Sequence, residues 1–286
     1  MKIEHIVCPV DFSPASINAY EFAAHLARVK NSTLHLTHVY EKPYYSVAAP
    51  SGSGAITYAV DSTEDTRIRR EIELELQKLT EFPFAKGLTV YGKLISDTTT
   101  WRFFEELDAE KADVIVMGTR GATGLLHGGI IGTNTERVIR HAPIPVISVP
   151  DLYVCRPIKK ILFATDFSAG SLSVFPHVAD LAKLLGAVVV VGMVNTRENF
   201  ATSRYAKEGF EKLSSAHANI HMSLVVQNYI TIEEGIWEMC NTEGADLIAM
   251  QTHGRTGIAH LVRGSIAEEL SSTSFITVPL MTIKSE

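Results

Sequence analysis

Two glycine-rich segments contain the residue types and spacing that could bind a phosphate. The first is GTRG at 118–121 followed by GT at 132–133, and the second is QTHG at 251–254 followed by GS at 264–265. Glycines permit a tight turn that brings backbone N–H groups close to a ligand. GT and GS each stand where a helix is predicted to begin, and a helix N-terminus favours an anion. The candidate residues are Gly118, Arg120, Gly121, Gly132, Thr133, Gln251, His253, Gly254, Gly264 and Ser265.

A single aspartate directly follows the first predicted strand in each half of the chain. Asp11 follows IVCPV at 6–10, and Asp166 follows ILFAT at 161–165. In a doubly wound parallel sheet, ligands bind beyond the carboxyl ends of the strands, where both aspartates would lie. Either carboxylate could accept a hydrogen bond from a base amino group, help to hold a divalent ion, or cap the following helix. The residue pattern leaves these three roles open.

The chain repeats itself, which explains why the candidate residues come in two sets. IVCPVDFS at 6–13 matches ILFATDFS at 161–168, and DVIVMGTRG at 113–121 matches DLIAMQTHG at 246–254. The second copy is shorter between its second and third predicted strands. At that place the first copy has an extra segment, 41–65, which is rich in Ser, Gly, Ala and Pro. We predict that this segment is a loop.

Each copy alternates apolar strands with helices, which is typical of a parallel sheet covered by helices on both faces. Ser13 can cap the first helix, with Pro14 at its first position. We predict two α/β domains, 1–150 and 157–286, joined by a short linker. The strands predicted in the first copy are 3–10, 33–40, 88–95, 113–118 and 145–149, and the helices are 14–28, 62–81, 98–110 and 133–141.

The composition argues against several classes of protein. The 286 residues include 26 Lys and Arg against 32 Asp and Glu, a net charge of −6, so we expect no nucleic-acid or membrane partner. The cysteines, Cys8, Cys155 and Cys240, are far apart and odd in number, which predicts reduced thiols. We find no signal-peptide pattern and no apolar run long enough to span a bilayer, so we expect a cytoplasmic protein.

The strand that ends in DFS and the loops that end in GT or GS resemble the universal stress protein family, twice and over almost the whole chain. ATP-binding members of that family carry Gly-x-x-Gly, nine residues, and then Gly-Ser or Gly-Thr. The resemblance implies two tandem flavodoxin-like or Rossmann-like domains, each a five-stranded parallel sheet with helices on both faces. It implies ATP, with or without Mg²⁺, at the glycine-rich loop. It also implies that the fifth strands pair, making the two domains a pseudo-dimer, and a homodimer of the whole chain is a further candidate assembly.

The resemblance also implies which side chains would surround the nucleotide. Residues at the ends of the first and second strands would line the base pocket, and a methionine before each glycine-rich segment would flank the nucleotide. For the valines and methionines, packing in the core is an equally good interpretation. These residues are Val10, Asp11, Val39 and Met117 in the first copy, and Thr165, Asp166, Val194 and Met250 in the second.

Each copy departs from the family pattern at one point. In the first, ten residues (122–131) precede Gly132 instead of nine. In the second, the nine-residue spacing (255–263) is kept, but Gln251 replaces the first glycine, where its side chain could crowd the ribose or the triphosphate. The sequence favours the second copy as the nucleotide site.

Three functions remain open at the level of sequence. The first is a stress-response module that senses or holds an adenine nucleotide in one or both domains. The second is a nucleotide-free scaffold that uses the same fold for protein contacts, with 41–64 as a contact surface. The third is a weak ATPase, although we recognise no nucleophile–base pair and no arginine finger in the sequence. We therefore expect binding rather than catalysis.

Overall fold

The computed structural model shows one ten-stranded sheet that runs through both halves of the chain and is flanked by helices. It describes residues 3–40, 44–48, 55–59, 61–96, 103–105, 107, 110–119, 133–252 and 277–285. Within these ranges, no helix is both long enough and apolar enough to cross a membrane.

The first half contributes five strands to the main sheet and carries a separate two-stranded hairpin. The strands of the main sheet are β1 (His5–Pro9), β2 (Thr33–Tyr40), β5 (Val90–Ser96), β6 (Val114–Gly118) and β7 (Val146–Val149), and the hairpin is β3 (Tyr44–Ala48) with β4 (Ala55–Ala59). The helices are α1 (Pro14–Lys30), α2 (Ser62–Thr80) and α3 (Thr133–His141), with a 3-10 turn at Pro83–Ala85. Residues 103–105 and 107 are also helical.

The second half repeats this order without the hairpin. Its elements are β8 (Lys160–Ala164), α4 (Ala169–Leu185), β9 (Val188–Asn195), α5 (Ser203–Ala216), β10 (Met222–Asn228), α6 (Ile232–Glu243), β11 (Leu247–Thr252) and β12 (Leu280–Lys284). The deletion inferred from the repeat thus corresponds to the absence of a hairpin between the second and third strands of this half.

The strand order confirms the predicted parallel sheet in each half. The order in the main sheet is β5-β2-β1-β6-β7 followed by β12-β11-β8-β9-β10, and all pairings of this sheet within a half are parallel. Each half therefore has the order third, second, first, fourth, fifth, which is that of a Rossmann-type sheet. The order reverses between the first and fourth strands, and the crevice for a ligand is expected at that point.

The two halves join through their fifth strands, as the resemblance implied. β7 and β12 pair antiparallel over a short stretch in which Ser148 lies opposite Leu280 and Val146 lies opposite Thr282. The Ser148 hydroxyl donates to the carbonyl of Leu280 at 3.3 Å, and the Thr282 hydroxyl donates to the carbonyl of Val146 at 3.3 Å. The pseudo-dimer is therefore formed within one chain.

The core is continuous on one face of the sheet and divided on the other. On the continuous face, α1 and α4 pack side by side, and Tyr20 and Phe175, at matching positions of the two helices, are fully buried. On the opposite face each half has its own apolar cluster, around Ile115 in the first and around Met239 in the second. The strands are apolar on both sides because helices cover both faces.

The structure corrects the prediction for the inserted segment. Residues 44–48 and 55–59 form an antiparallel hairpin with Tyr45 opposite Tyr58, so 41–65 is not a loop throughout. The six residues 49–54, APSGSG, separate the two strands in the sequence, and their small residues and proline are what favoured a loop. The next helix, α2, is capped by Asp61, whose carboxylate accepts from the backbone of Thr63.

Candidate functional site

The same strained turn connects the first strand of each half to its first helix. Phe12 and Phe167, at matching positions, both have positive φ angles, 62° and 58°. A bulky residue in the left-handed region is uncommon and costs on the order of 1–3 kcal/mol, and such residues cluster at functional sites. Ser13 and Ser168 follow, and each side chain accepts from a backbone N–H in the first turn of its helix. The prediction that Ser13 caps α1 is confirmed.

The two aspartates hold these turns in place. The Oδ1 of Asp11 accepts from the backbone N–H of Ser13 at 3.1 Å and from its hydroxyl at 2.5 Å. The Oδ1 of Asp166 accepts from the backbone N–H of Ser168 at 2.9 Å. Each aspartate therefore supports the cap residue rather than capping the helix itself. The Asp166 side chain is exposed, whereas Asp11 is half-buried.

A cleft of about 980 Å³ opens beside Asp166 in the second half. Its floor consists of the carboxyl ends of β8, β9 and β11, which is where a doubly wound sheet binds its ligand. The sequence-predicted residues that the structure brings together here are Thr165, Asp166, Val194, Met250 and Gln251. Thr165, Met250 and Gln251 are each less than a tenth exposed, so most of their surface packs in the protein.

The opposite wall of the cleft was not predicted from the sequence. It is formed by residues 196–201, which follow β9, and by residues 230–233, at the start of α6. Asn195 fixes the first of these segments, because its amide donates to and accepts from the backbone of Ala201 at 3.1 and 3.0 Å. The only available signal was an asparagine at the carboxyl end of a buried strand.

Exposed apolar side chains form the rim of the cleft. Ile230 is 87% exposed and Phe200 is 72% exposed, and both line the opening. Tyr205 lies beside them, and its hydroxyl donates to the carbonyl of Asp166 at 3.3 Å. Large exposed apolar side chains that share one concave surface are typical of a ligand-binding site.

Gln251 lines the cleft, and its side chain also reaches the first helix of this half. A Cβ atom on Gly170, in the first turn of α4, would lie 2.6 Å from Nε2 of Gln251. The glutamine amide therefore occupies space that the absence of a side chain at Gly170 leaves open. Nε2 also donates to the hydroxyl of Ser285 at 2.6 Å. The side chain thus packs between the helix and the end of the sheet.

In the first half the glycine lies on the strand instead of on the helix. Gly118 takes the place of Gln251, and Ala15 takes the place of Gly170. A Cβ atom on Gly118 would lie 3.0 Å from the carbonyl carbon and oxygen of Ala15. Gly118 is therefore required by the close approach of α1 to β6. This glycine has a structural role whether or not a ligand binds.

Of the other candidates in the first half, some belong to the core. Val10 and Met117 are almost completely buried, and Val39 is 38% exposed. His38 donates through Nδ1 to the carbonyl of Val10 at 2.7 Å, and its ring stacks on Phe12 at 4.8 Å. Burial lowers the pKa of His38, so the ring is neutral at pH 7. Phe12 and His38 therefore form a neutral aromatic pair next to Asp11.

Both glycine-rich segments lie largely outside the described residues. The predicted residues there, whose positions stay predictions, are Arg120, Gly121, Gly132, His253, Gly254, Gly264 and Ser265. Thr133 is the first residue of α3, as the sequence predicted. In the part of the chain that the structure describes, no three His, Cys, Asp or Glu side chains are placed to hold a metal ion.

The comparison with known families decides the classification. A model of the universal stress protein family matches residues 2–150 and again 157–281. The chain belongs to the universal stress protein family. Among its relatives, a universal stress protein of Synechocystis is 33% identical over 176 residues, 60% of this chain and 58% of that protein, so the chain spans just over half of this relative's length. One of Methanocaldococcus jannaschii is 28% identical over 145 residues, 50% of this chain and 80% of that protein.

Solved structures support the same fold in both halves of this universal stress protein. The universal stress protein of Archaeoglobus fulgidus superposes with a TM-score of 0.70 at 18% identity, covering 98% of this chain and 96% of that one. A protein of unknown function from Pseudomonas aeruginosa gives a TM-score of 0.60 at 19% identity, covering 99% and 93%. At these identities the likeness establishes the fold alone.

Proposed function

We propose that this universal stress protein binds an adenine nucleotide, ATP, in the cleft of its second half and acts as a nucleotide-responsive module of the stress response. The observation that carries the proposal is the cleft itself. It lies at the carboxyl ends of β8, β9 and β11, beside a strained turn and the N-terminus of α4. Its size falls in the range of small-molecule sites, about 300–1,000 Å³.

The chemistry of the cleft suits the parts of a nucleotide. Exposed apolar side chains such as Phe200 and Ile230 can cover a base. Asp166 uses Oδ1 to hold Ser168, and its other oxygen can accept a hydrogen bond from the amino group of adenine. The glycine-rich segment, which begins directly after β11, would supply backbone N–H groups to the phosphates. Mg²⁺ would enter with the triphosphate, whose oxygens bind it together with water.

Calorimetric titration of the whole chain with ATP and Mg²⁺ tests this proposal through the matched variants Asp166→Asn and Asp11→Asn. Asparagine keeps the oxygen that holds the turn and replaces the other oxygen with an NH₂ group, which cannot accept. We expect Asp166→Asn to weaken ATP binding about tenfold, the effect of losing a hydrogen bond to a charged group. Asp11→Asn should leave the affinity at the second-half site unchanged.

Two outcomes would overturn the proposal. One is the absence of any ATP binding by wild-type protein that is folded and free of co-purified nucleotide. The other is loss of binding in Asp11→Asn together with full binding in Asp166→Asn, which would place the nucleotide in the first half. A stoichiometry of two, with each variant removing one site, would extend the proposal to both halves.

A further inference from the structure

Gln251 carries a polar atom that the described structure leaves without a partner. The residue is 6% exposed and lies in the floor of the second-half cleft. Its Nε2 donates to the hydroxyl of Ser285, but its Oε1 is buried and has no hydrogen-bond partner among the described residues. An unpaired buried acceptor is costly, and each such group in a native protein calls for an explanation.

The neighbouring polar groups are already engaged. The hydroxyls of Thr165 and Ser171 bond to each other at 2.6 Å, and the Thr165 oxygen also accepts from the backbone N–H of Phe167 at 2.9 Å. On the side of α4, Gly170 offers no side chain. Among the described residues, the polar groups that share the cleft with Gln251 are therefore engaged elsewhere, and its oxygen is left available to a ligand.

We propose that Gln251 is the specificity-determining residue of the second-half cleft, and that its amide oxygen accepts a hydrogen bond from a sugar hydroxyl of the bound nucleotide. This inference rests on the proposed function. Phosphate oxygens are acceptors, so they cannot pair with this oxygen. The base amino group is assigned to Asp166 at the end of β8. Gln251 lies on β11, between Asp166 and the segment assigned to the phosphates, and the sugar is the part of the nucleotide that joins those two.

The inference explains why a glutamine stands where the first half has Gly118. The amide lies against Gly170, and its Nε2 donates to Ser285, which leaves Oε1 as the acceptor available for a sugar hydroxyl. A site built to hydrogen-bond a hydroxyl rejects an analogue that lacks it, because the acceptor is then left unpaired. Discrimination by sugar hydroxyls is therefore the property that Gln251 should confer.

The test is a thermodynamic cycle on the full chain. The affinities of ATP, 2′-deoxy-ATP and 3′-deoxy-ATP are measured by calorimetry for the wild type, Gln251→Met and Gln251→Glu. We expect the wild type to bind one of the deoxy analogues about three- to tenfold more weakly than ATP, the effect of one hydrogen bond. Gln251→Met, which has similar length and no acceptor oxygen, should bind that analogue and ATP equally. Gln251→Glu, which keeps an acceptor, should retain the discrimination even if its charge lowers the affinity for every triphosphate.

The outcomes separate this inference from the proposed function. Equal discrimination by the wild type and Gln251→Met, or no discrimination by either, would overturn the role of Gln251 and leave nucleotide binding intact. Absence of ATP binding by the wild type would overturn both. The melting temperature of each variant without ligand shows whether the fold is preserved, and Gln251→Leu, which also lacks an acceptor oxygen, replaces Gln251→Met if that variant is unstable.

Discussion

The junction between the fourth strand and the first helix is built differently in the two halves of this protein. In the first half the strand supplies the glycine, Gly118, and the helix supplies Ala15. In the second half the helix supplies the glycine, Gly170, and the strand supplies Gln251. The two pairs fill the same space with opposite partners. The first glycine of the loop motif is therefore partly a packing residue, and its replacement in the second half has a structural explanation that does not depend on a ligand.

The largest expected loss of stability comes from replacing Gly118, the strand glycine of the first half. Gly118→Gln should destabilise the protein by about 2–3 kcal/mol, because its Cβ would press on the backbone of Ala15. Adding Ala15→Gly removes only the Ala15 Cβ, which would lie 3.2 Å from the new Cβ, and leaves the backbone contacts, so it should restore less than half of the loss. Urea unfolding of the two single variants and the double variant measures the coupling. Simple additivity of the two changes would show that the pairs are not equivalent.

Acid sensitivity should also differ between the halves. His35 is buried, donates to Glu110 at 2.7 Å and pairs through Nε2 with His5 at 3.1 Å, whereas the matching residue of the second half is Val190. Burial is the largest influence on the pKa of His35 and lowers it, with Glu110 opposing and both His5 and Lys93 adding to the effect. The unfolded chain therefore binds more protons below pH 6.5, and stability is lost as the pH falls through that value.

The variant His35→Val tests this difference by giving the first half the residue type of the second. Its melting temperature should fall less than that of the wild type between pH 7.5 and pH 5.5. One proton can change the free energy of unfolding by at most about 1.4 kcal/mol per pH unit. His38, His177 and His217 also have lowered pKa values, so some acid sensitivity should remain. An unchanged pH profile would assign the acid sensitivity to these other histidines.

A smaller effect is expected from filling the space at Gly170. Gly170→Ala should cost about 1 kcal/mol, because the new methyl group displaces the flexible end of Gln251 rather than backbone. In the double variant Gly170→Ala with Gln251→Gly, the arrangement of the first half is recreated and the cost should disappear. Thermal unfolding of the three variants measures this, and a double variant less stable than Gly170→Ala alone would contradict it.

The smallest loss of stability should come from changes to the paired strands β7 and β12, which join the two halves. Ser148→Ala and Thr282→Val each remove one long hydrogen bond of 3.3 Å between β7 and β12. Because both bonds lie at the weak end of the range, each variant should lose less than about 1 kcal/mol by urea unfolding. Similar losses are expected because the two hydroxyls have matching roles on the paired strands. A much larger loss of stability in either variant would mean that the pairing of β7 with β12 depends on that hydroxyl.

The regular part of the fold could be read from the sequence because it depends on local patterns. The predicted limits of β2 and α3 agree with the structure, and the Ser13 cap was predicted, whereas the positive φ of Phe12 and Phe167 was not. The hairpin at 44–59 was missed because its strands are short and joined by small residues. The sequence pattern that marks a buried strand was too weak there.

The candidate site was predictable only in part. Asp166 follows from its place after a strand, whereas Thr165 and Met250 were implied by the family resemblance, and all three line the floor. The wall that includes Phe200 and Ile230 comes from segments without a motif, so only the folded chain brings it to the cleft. The direction of the Gln251 side chain depends on Gly170, which is distant in sequence, and a pattern within β11 cannot reveal it.

Photoaffinity labelling with 8-azido-ATP tests the central claim, that the second-half cleft holds the nucleotide, most directly. The labelled chain is digested and the modified peptides are located by mass spectrometry, with excess ATP as competitor. We predict adducts within residues 192–205 or 229–236 that ATP prevents from forming. ATP-sensitive adducts confined to the first half, or labelling that ATP does not reduce, would contradict the account.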